Sequence, residues 1–142
     1  SSSVQIFKDE NFKTAFRTYN ATKFRKWQFR MGIQPPHPGF FIRMEALKKV
    51  GKCDISYSIS GDFDWLLRVL WIHDLKTIYT DFVTVYMRDG GMSSSGLKSK
   101  IRMNAEDLRS LKNHHVYSNS IIIYCKYLIK AFQVNWFSLF KG

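Results

Sequence analysis

The run Gly61-Asp62-Phe63-Asp64-Trp65-Leu66-Leu67-Arg68 holds the residues best suited to chemistry. Two carboxylates stand at i and i+2, and an arginine follows the first of them at i+6. Phe63, Leu66, Leu67 and Leu70 recur at helical spacing, so one face of the segment is expected to anchor it in a core. Asp62 then falls at the helix entrance, and Asp64 and Arg68 lie one turn apart on another face. A carboxylate held at a helix N-terminus, entered through Ser58-Ile59-Ser60-Gly61, is well placed to take a proton from a substrate hydroxyl. The same residue types also suit structural work. Asp is a favoured N-cap, and an exposed Asp–Arg pair at i, i+4 is ordinary helix electrostatics worth about 0.3–0.5 kcal/mol.

Further blocks flank this run. Upstream stands Gly32-Ile33-Gln34-Pro35-Pro36-His37-Pro38-Gly39-Phe40-Phe41-Ile42-Arg43, in which prolines on both sides of His37 fix its backbone. A rigid histidine can hydrogen-bond a sugar or a phosphate, or serve as a metal ligand. Downstream comes Val83-Thr84-Val85-Tyr86-Met87-Arg88-Asp89-Gly90-Gly91-Met92-Ser93, a strand pattern running into a glycine-rich loop. The order of these blocks, from about residue 14 to residue 109, resembles the C-terminal half of bacterial family 2 glycosyltransferases with the GT-A fold.

That resemblance implies an inverting sugar transferase, of which this chain would be the acceptor-side half. Asp62 matches the family's general base, which removes the acceptor hydroxyl proton as that oxygen attacks the anomeric carbon. His37, Asp64 and Arg68 match substrate-contact positions, with Asp64 binding acceptor hydroxyls or orienting Arg68. Arg88, Gly90, Gly91 and Ser93 resemble the loop that closes over the donor pyrophosphate. The complete enzyme is expected to use Mn or Mg, whose ligands belong to an N-terminal nucleotide-binding half. No apolar strand ending in an acidic pair stands before Val4, and Asp9-Glu10 reads as a turn between strands. Some relatives place a metal-binding histidine beyond the base, where this chain has Tyr86-Met87-Arg88. No metal ligand is therefore assigned here. The implied partners are a nucleotide-sugar donor, a surface-glycan or lipid-linked acceptor and the N-terminal half, in the cytoplasm or at the inner face of the cell membrane.

A chain of 142 residues, 45% hydrophobic and 16% aromatic, can bury a core of its own. Its net charge of +11 points to an anionic partner without choosing among nucleotide phosphates, lipid headgroups and nucleic acid. Cys53 and Cys125 have neither metal-site nor redox-motif spacing and read as free thiols in a reducing compartment. No signal-peptide pattern opens the sequence, and Ser1-Ser2-Ser3 reads as an added leader or a cut end.

The elements that must hold these residues give an α/β class: a partial GT-A-like unit with a small mixed sheet, flanking helices and an amphipathic C-terminal helical tail. Strands are expected at 4–7, 12–19, 40–42, 77–79 and 82–86, and helices at 44–50, 62–73, 97–114 and 119–140. Pro35, Pro36 and Pro38 favour an extended path past His37. Residues 1–115 read as the transferase half and 116–142 as the tail. Within that tail Lys126 interrupts the apolar run well short of the roughly 20 residues that span a bilayer. Lys126 and Lys130 share a face, so the tail suits either an in-plane membrane helix or a packed terminal helix. The alternative functions are a peripheral membrane domain or a nucleic-acid module built on Lys23-Phe24-Arg25-Lys26-Trp27-Gln28-Phe29-Arg30. The acidic run at Asp62 opposes the second.

Overall fold

A computed structural model of the chain describes residues 1–7, 15–88 and 96–128. Val4, Ile6 and Phe7 favour extended backbone and form β1 (Ser3–Phe7), the central strand of a three-stranded sheet. β2 (Ala15–Tyr19) pairs with it antiparallel, from Val4 opposite Tyr19 to Phe7 opposite Ala15. β3 (Val83–Arg88) pairs on the other side, parallel, from Ser3 opposite Val83 to Phe7 opposite Arg88. A parallel pair requires a long crossover. Here that crossover carries every residue of the candidate site up to Arg68.

Within the crossover, short 3₁₀ turns at Ala21–Lys23 and Lys26–Met31 lead to a third at His37–Gly39. Next comes α1 (Met44–Val50), which Gly51 terminates with a positive φ. α2 (Gly61–Leu67) continues as a wider π-helical turn over Arg68–Ile72. After β3 comes α3 (Gly96–Asn113), and residues 120–128 are helical as well.

The apolar face expected of α2 is the centre of the core. Phe63, Leu66, Leu67 and Leu70 are all buried, together with Phe24, Phe29, Val50, Leu111, Val116 and Ile123. Edge-to-face contacts run from Phe24 to Phe29 and from Phe29 to Phe63. Val116 and Ile123 lie beyond the expected boundary at 115/116 and still belong to this one core.

The architecture is thus α/β with a small mixed sheet, as the pattern of elements predicts, and several local expectations need correction. Residues 40–42 form no strand, and Phe41 is 73% exposed. The 3₁₀ turn before them redirects the chain, and no strand of the sheet pairs with them. Residues 77–79 also fall short of a strand. Their stretch instead makes irregular backbone bonds to the chain start, from Ser1 N to Ile78 O and from Thr80 N to Ser1 O. His37 sits in a tight turn rather than an extended path, because Pro38, with its fixed φ, suits the first positions of a helical turn. Lys126 points inward, not toward a headgroup layer, and Lys130 lies outside the described residues.

Candidate functional site

Two glycines pin the strap that carries His37. At Gly32 the chain turns through φ 65°, and Lys126 Nζ donates to its carbonyl at 3.3 Å. At Gly39 the carbonyl accepts from Ser2 N at 2.8 Å and from Ser2 Oγ at 2.9 Å. Ser2 Oγ also pairs with Thr84 Oγ1 on β3. The opening serines are therefore structural. Ser2 and Ser3 are buried, and Ser3 Oγ accepts from Ala21 N.

Between these pins the strap delivers Gln34 and His37 to the mouth of α2. Gln34 Nε2 donates to Asp62 Oδ2 at 2.7 Å, and His37 Nδ1 lies 3.8 Å from the same oxygen. Asp62 Oδ1 accepts from Phe63 N at 2.8 Å. The Asp62 side chain remains 31% exposed and that of His37 53% exposed, so both reach solvent. Asp62 sits in the first turn of α2, but the N-cap position belongs to Ser60.

Ser60 does not cap with its own side chain, because its Oγ donates to Met103 O. Glu106 of α3 instead holds the loop that enters α2, accepting from the backbone N–H groups of Ser58, Ile59 and Ser60 at 2.8–3.1 Å. Burial raises the affinity of Glu106 for a proton. The N–H donors and the Arg102 guanidinium outweigh it and hold the carboxyl below the usual glutamate range.

Asp64 and Arg68 occupy a different place. Two residues along a helix turn the side chain by about 200°, so Asp64 faces away from Asp62. It is buried, and its carboxylate accepts from Arg68 Nε at 3.0 Å and from Ser110 Oγ at 2.8 Å, with His114 Nε2 at 3.0 Å. Arg68 in turn donates to Val50 O and Lys52 O, satisfying carbonyls at the end of α1. Far from an exposed helix pair, Asp64–Arg68 joins α1, α2 and α3. Their polar atoms are engaged by protein groups, with Asp64 orienting Arg68.

Sequence reasoning also missed the layer behind Asp62. Asp107 and Lys126 form a buried ion pair at 3.0 Å under Gly32. Burial pushes the Asp107 carboxyl above its ordinary range, against the pull of Lys126 and Ser60, and the charge of Asp62 adds to the rise. The signal was present but faint: Asn104, Asp107 and Leu111 share helical spacing and are all buried.

Arg88 ends β3, while Gly90, Gly91 and Ser93 lie outside the described residues. No group of His, Cys, Asp and Glu side chains suited to a metal ion occurs among the described residues, so these residues on their own do not fit the Mn or Mg expected of the complete enzyme. Of the aromatic residues in the basic segment 23–30, Phe24 and Phe29 are core and only Trp27 is open to solvent. The arrangement offers a carboxylate with one donor on each oxygen, beside an imidazole and partly exposed to solvent. Such a group can accept a proton from a bound hydroxyl. Comparison with protein-family models, with curated proteins and with solved structures finds no match to this chain.

Proposed function

We propose that this chain is the acceptor-side half of an inverting glycosyltransferase, with Asp62 as the general base. The observation that carries the reading is the meeting of His37, Gln34 and Asp62, separated in sequence, around a solvent-facing carboxylate. In the proposed step the acceptor hydroxyl oxygen attacks the anomeric carbon of a nucleotide sugar. The bond from that carbon to the nucleoside diphosphate breaks, and the hydroxyl proton passes to Asp62. His37 contacts the sugar from the exposed side of the site, and Arg88 meets the departing diphosphate. The acceptor is a glycan or a lipid-linked sugar at the inner membrane face. No helix among the described residues is long and apolar enough to cross a membrane, which agrees with a peripheral place. A nucleic-acid module is the weaker reading, because burial of Phe24 and Phe29 removes two of the rings needed to stack on bases.

Asp62→Asn in the full-length protein tests this reading. Asn keeps an oxygen for Phe63 N, and a flipped Gln34 amide can accept from its nitrogen, so the fold is expected to survive. Turnover, read as nucleoside diphosphate released from a panel of nucleotide sugars, should fall by about 10²-fold or more. The thermal midpoint should hardly move. Full turnover in Asp62→Asn would remove the central assignment.

A further inference from the structure

Gln34 turns its side-chain polarity in one direction. Its Nε2 donates to Asp62 Oδ2 at 2.7 Å, a charge-assisted hydrogen bond by its length and acceptor. Its Oε1 is buried and has no hydrogen-bond partner among the described residues. The reverse orientation of the amide would set that oxygen against the carboxylate, acceptor facing acceptor. A buried amide oxygen left unpaired is uncommon and asks for a reason.

The backbone leaves Gln34 little freedom. Gly32 holds a left-handed turn, Ile33 N donates to Gln28 O, and Pro35 is fully buried. Beyond His37, the Gly39 carbonyl is fixed to Ser2. The amide therefore reaches Asp62 from a stiff support. Asp62 Oδ1 is held by Phe63 N, so each carboxylate oxygen has one donor and the group cannot rotate without losing both. His37 Nδ1, at 3.8 Å, is too far to be a third.

We infer that Gln34 is a positioning residue: it locks the Asp62 carboxylate in one orientation and leaves the second acceptor position of Oδ2 for the incoming hydroxyl. This rests on Asp62 being the base of the transfer proposed above. A base fixed in this way meets the hydroxyl in line, which is where orientation contributes most to rate.

The contact can be read without substrate. In the ¹⁵N-labelled chain, the Gln34 side-chain amide resonance is followed as pH falls through the carboxylate range. It should move with a carboxylate titration in the wild type and lose that movement in Asp62→Asn. His37 and Asp107 also face Asp62, and Lys126 stands behind it, so the variant separates their titrations from that of Asp62. In the full-length protein, Gln34→Met should lower kcat about tenfold at unchanged KM. In the Asp62→Asn background the same change should cost nothing further. An amide that ignores pH, or responds equally in Asp62→Asn, overturns the inference while leaving the base assignment standing. So do losses that multiply in the double variant. Normal turnover in Asp62→Asn removes the base and with it the positioning role, even if the amide titrates. If Gln34→Met fails to fold, the amide measurement on wild type and Asp62→Asn still decides.

Discussion

Gly39 has no room for a side chain. A Cβ there would lie 2.6 Å from both the carbonyl oxygen and the Oγ of Ser2, and the first of these is backbone that cannot swing aside. Gly39→Ala must therefore pull the strap off β1, at a cost of about 1–3 kcal/mol for forced overpacking. The shift should also reach His37 and Gln34, because they share the strap. Denaturant unfolding should show the loss of stability, and turnover should fall more than that loss alone explains. A Gly39→Ala protein of wild-type stability and activity would mean that the strap is not held at this point. At this scale the chemistry of the site was half legible. Asp62 and His37 stood out by residue type and by what fixes their backbone. Gln34 did not, because its partner is 28 positions away and an amide between Ile33 and Pro35 carries no local signal.

The N-terminus of α2 depends on another helix. The loop that leads into it and its N-cap residue are held by Glu106, which takes the N–H groups of Ser58, Ile59 and Ser60. Glu106→Gln keeps the size but offers one uncharged acceptor oxygen to three donors. Hydrogen bonds to charged groups are worth about 1.5–3 kcal/mol each, so a loss of about 2 kcal/mol at neutral pH is expected after partial rehydration of the loop. The sign with pH follows from a carboxyl held below its usual range. The folded state favours the ionised form, so the stabilisation is fully present above the ordinary glutamate value of 4.5 and fades as pH falls through the lower folded value. Wild type and Glu106→Gln should thus converge in acid, which denaturant unfolding at a series of pH values would reveal. A gap between them that is constant with pH would assign the hold on this loop to packing instead. The helices themselves were legible from periodicity: α1 and the end signal at Gly51 fell where expected, and α3 and the span of α2 with its π-helical continuation within a residue or two. What periodicity could not give was the pairing between them. The strand expected at 40–42 and not formed has the same origin, since a short apolar run becomes a strand only if another strand lies beside it.

Across the whole molecule, one buried ion pair ties the C-terminal helical residues to the site. Lys126 Nζ meets Asp107 Oδ2 at 3.0 Å with both side chains almost fully buried, and it also donates to Gly32 O at the start of the strap. Composition made the basic charge and the amphipathic tail legible, but not that this lysine turns inward. Ile121, Tyr124 and Leu128 are the large apolar residues of 120–128 that are exposed instead. Removing one partner of a buried pair leaves a charge without compensation, at about 3–5 kcal/mol, whereas replacing both by apolar groups of similar volume is often neutral or better. Lys126→Met should therefore be strongly destabilising at neutral pH. Asp107 is already pushed upward by burial, and without Lys126 it rises further. A group with a raised folded value contributes most at low pH and loses that contribution as pH rises, so the Lys126→Met deficit should shrink in acid and grow toward neutrality. Adding Asp107→Leu should recover most of the stability at neutral pH and remove the pH dependence of the deficit. Unfolding curves for the wild type, both single variants and the double variant check this directly. If Lys126→Met alone costs less than about 1 kcal/mol, the pair does not bear on stability as a desolvated charge must, and residues 120–128 are held by Ile123 and its apolar neighbours instead.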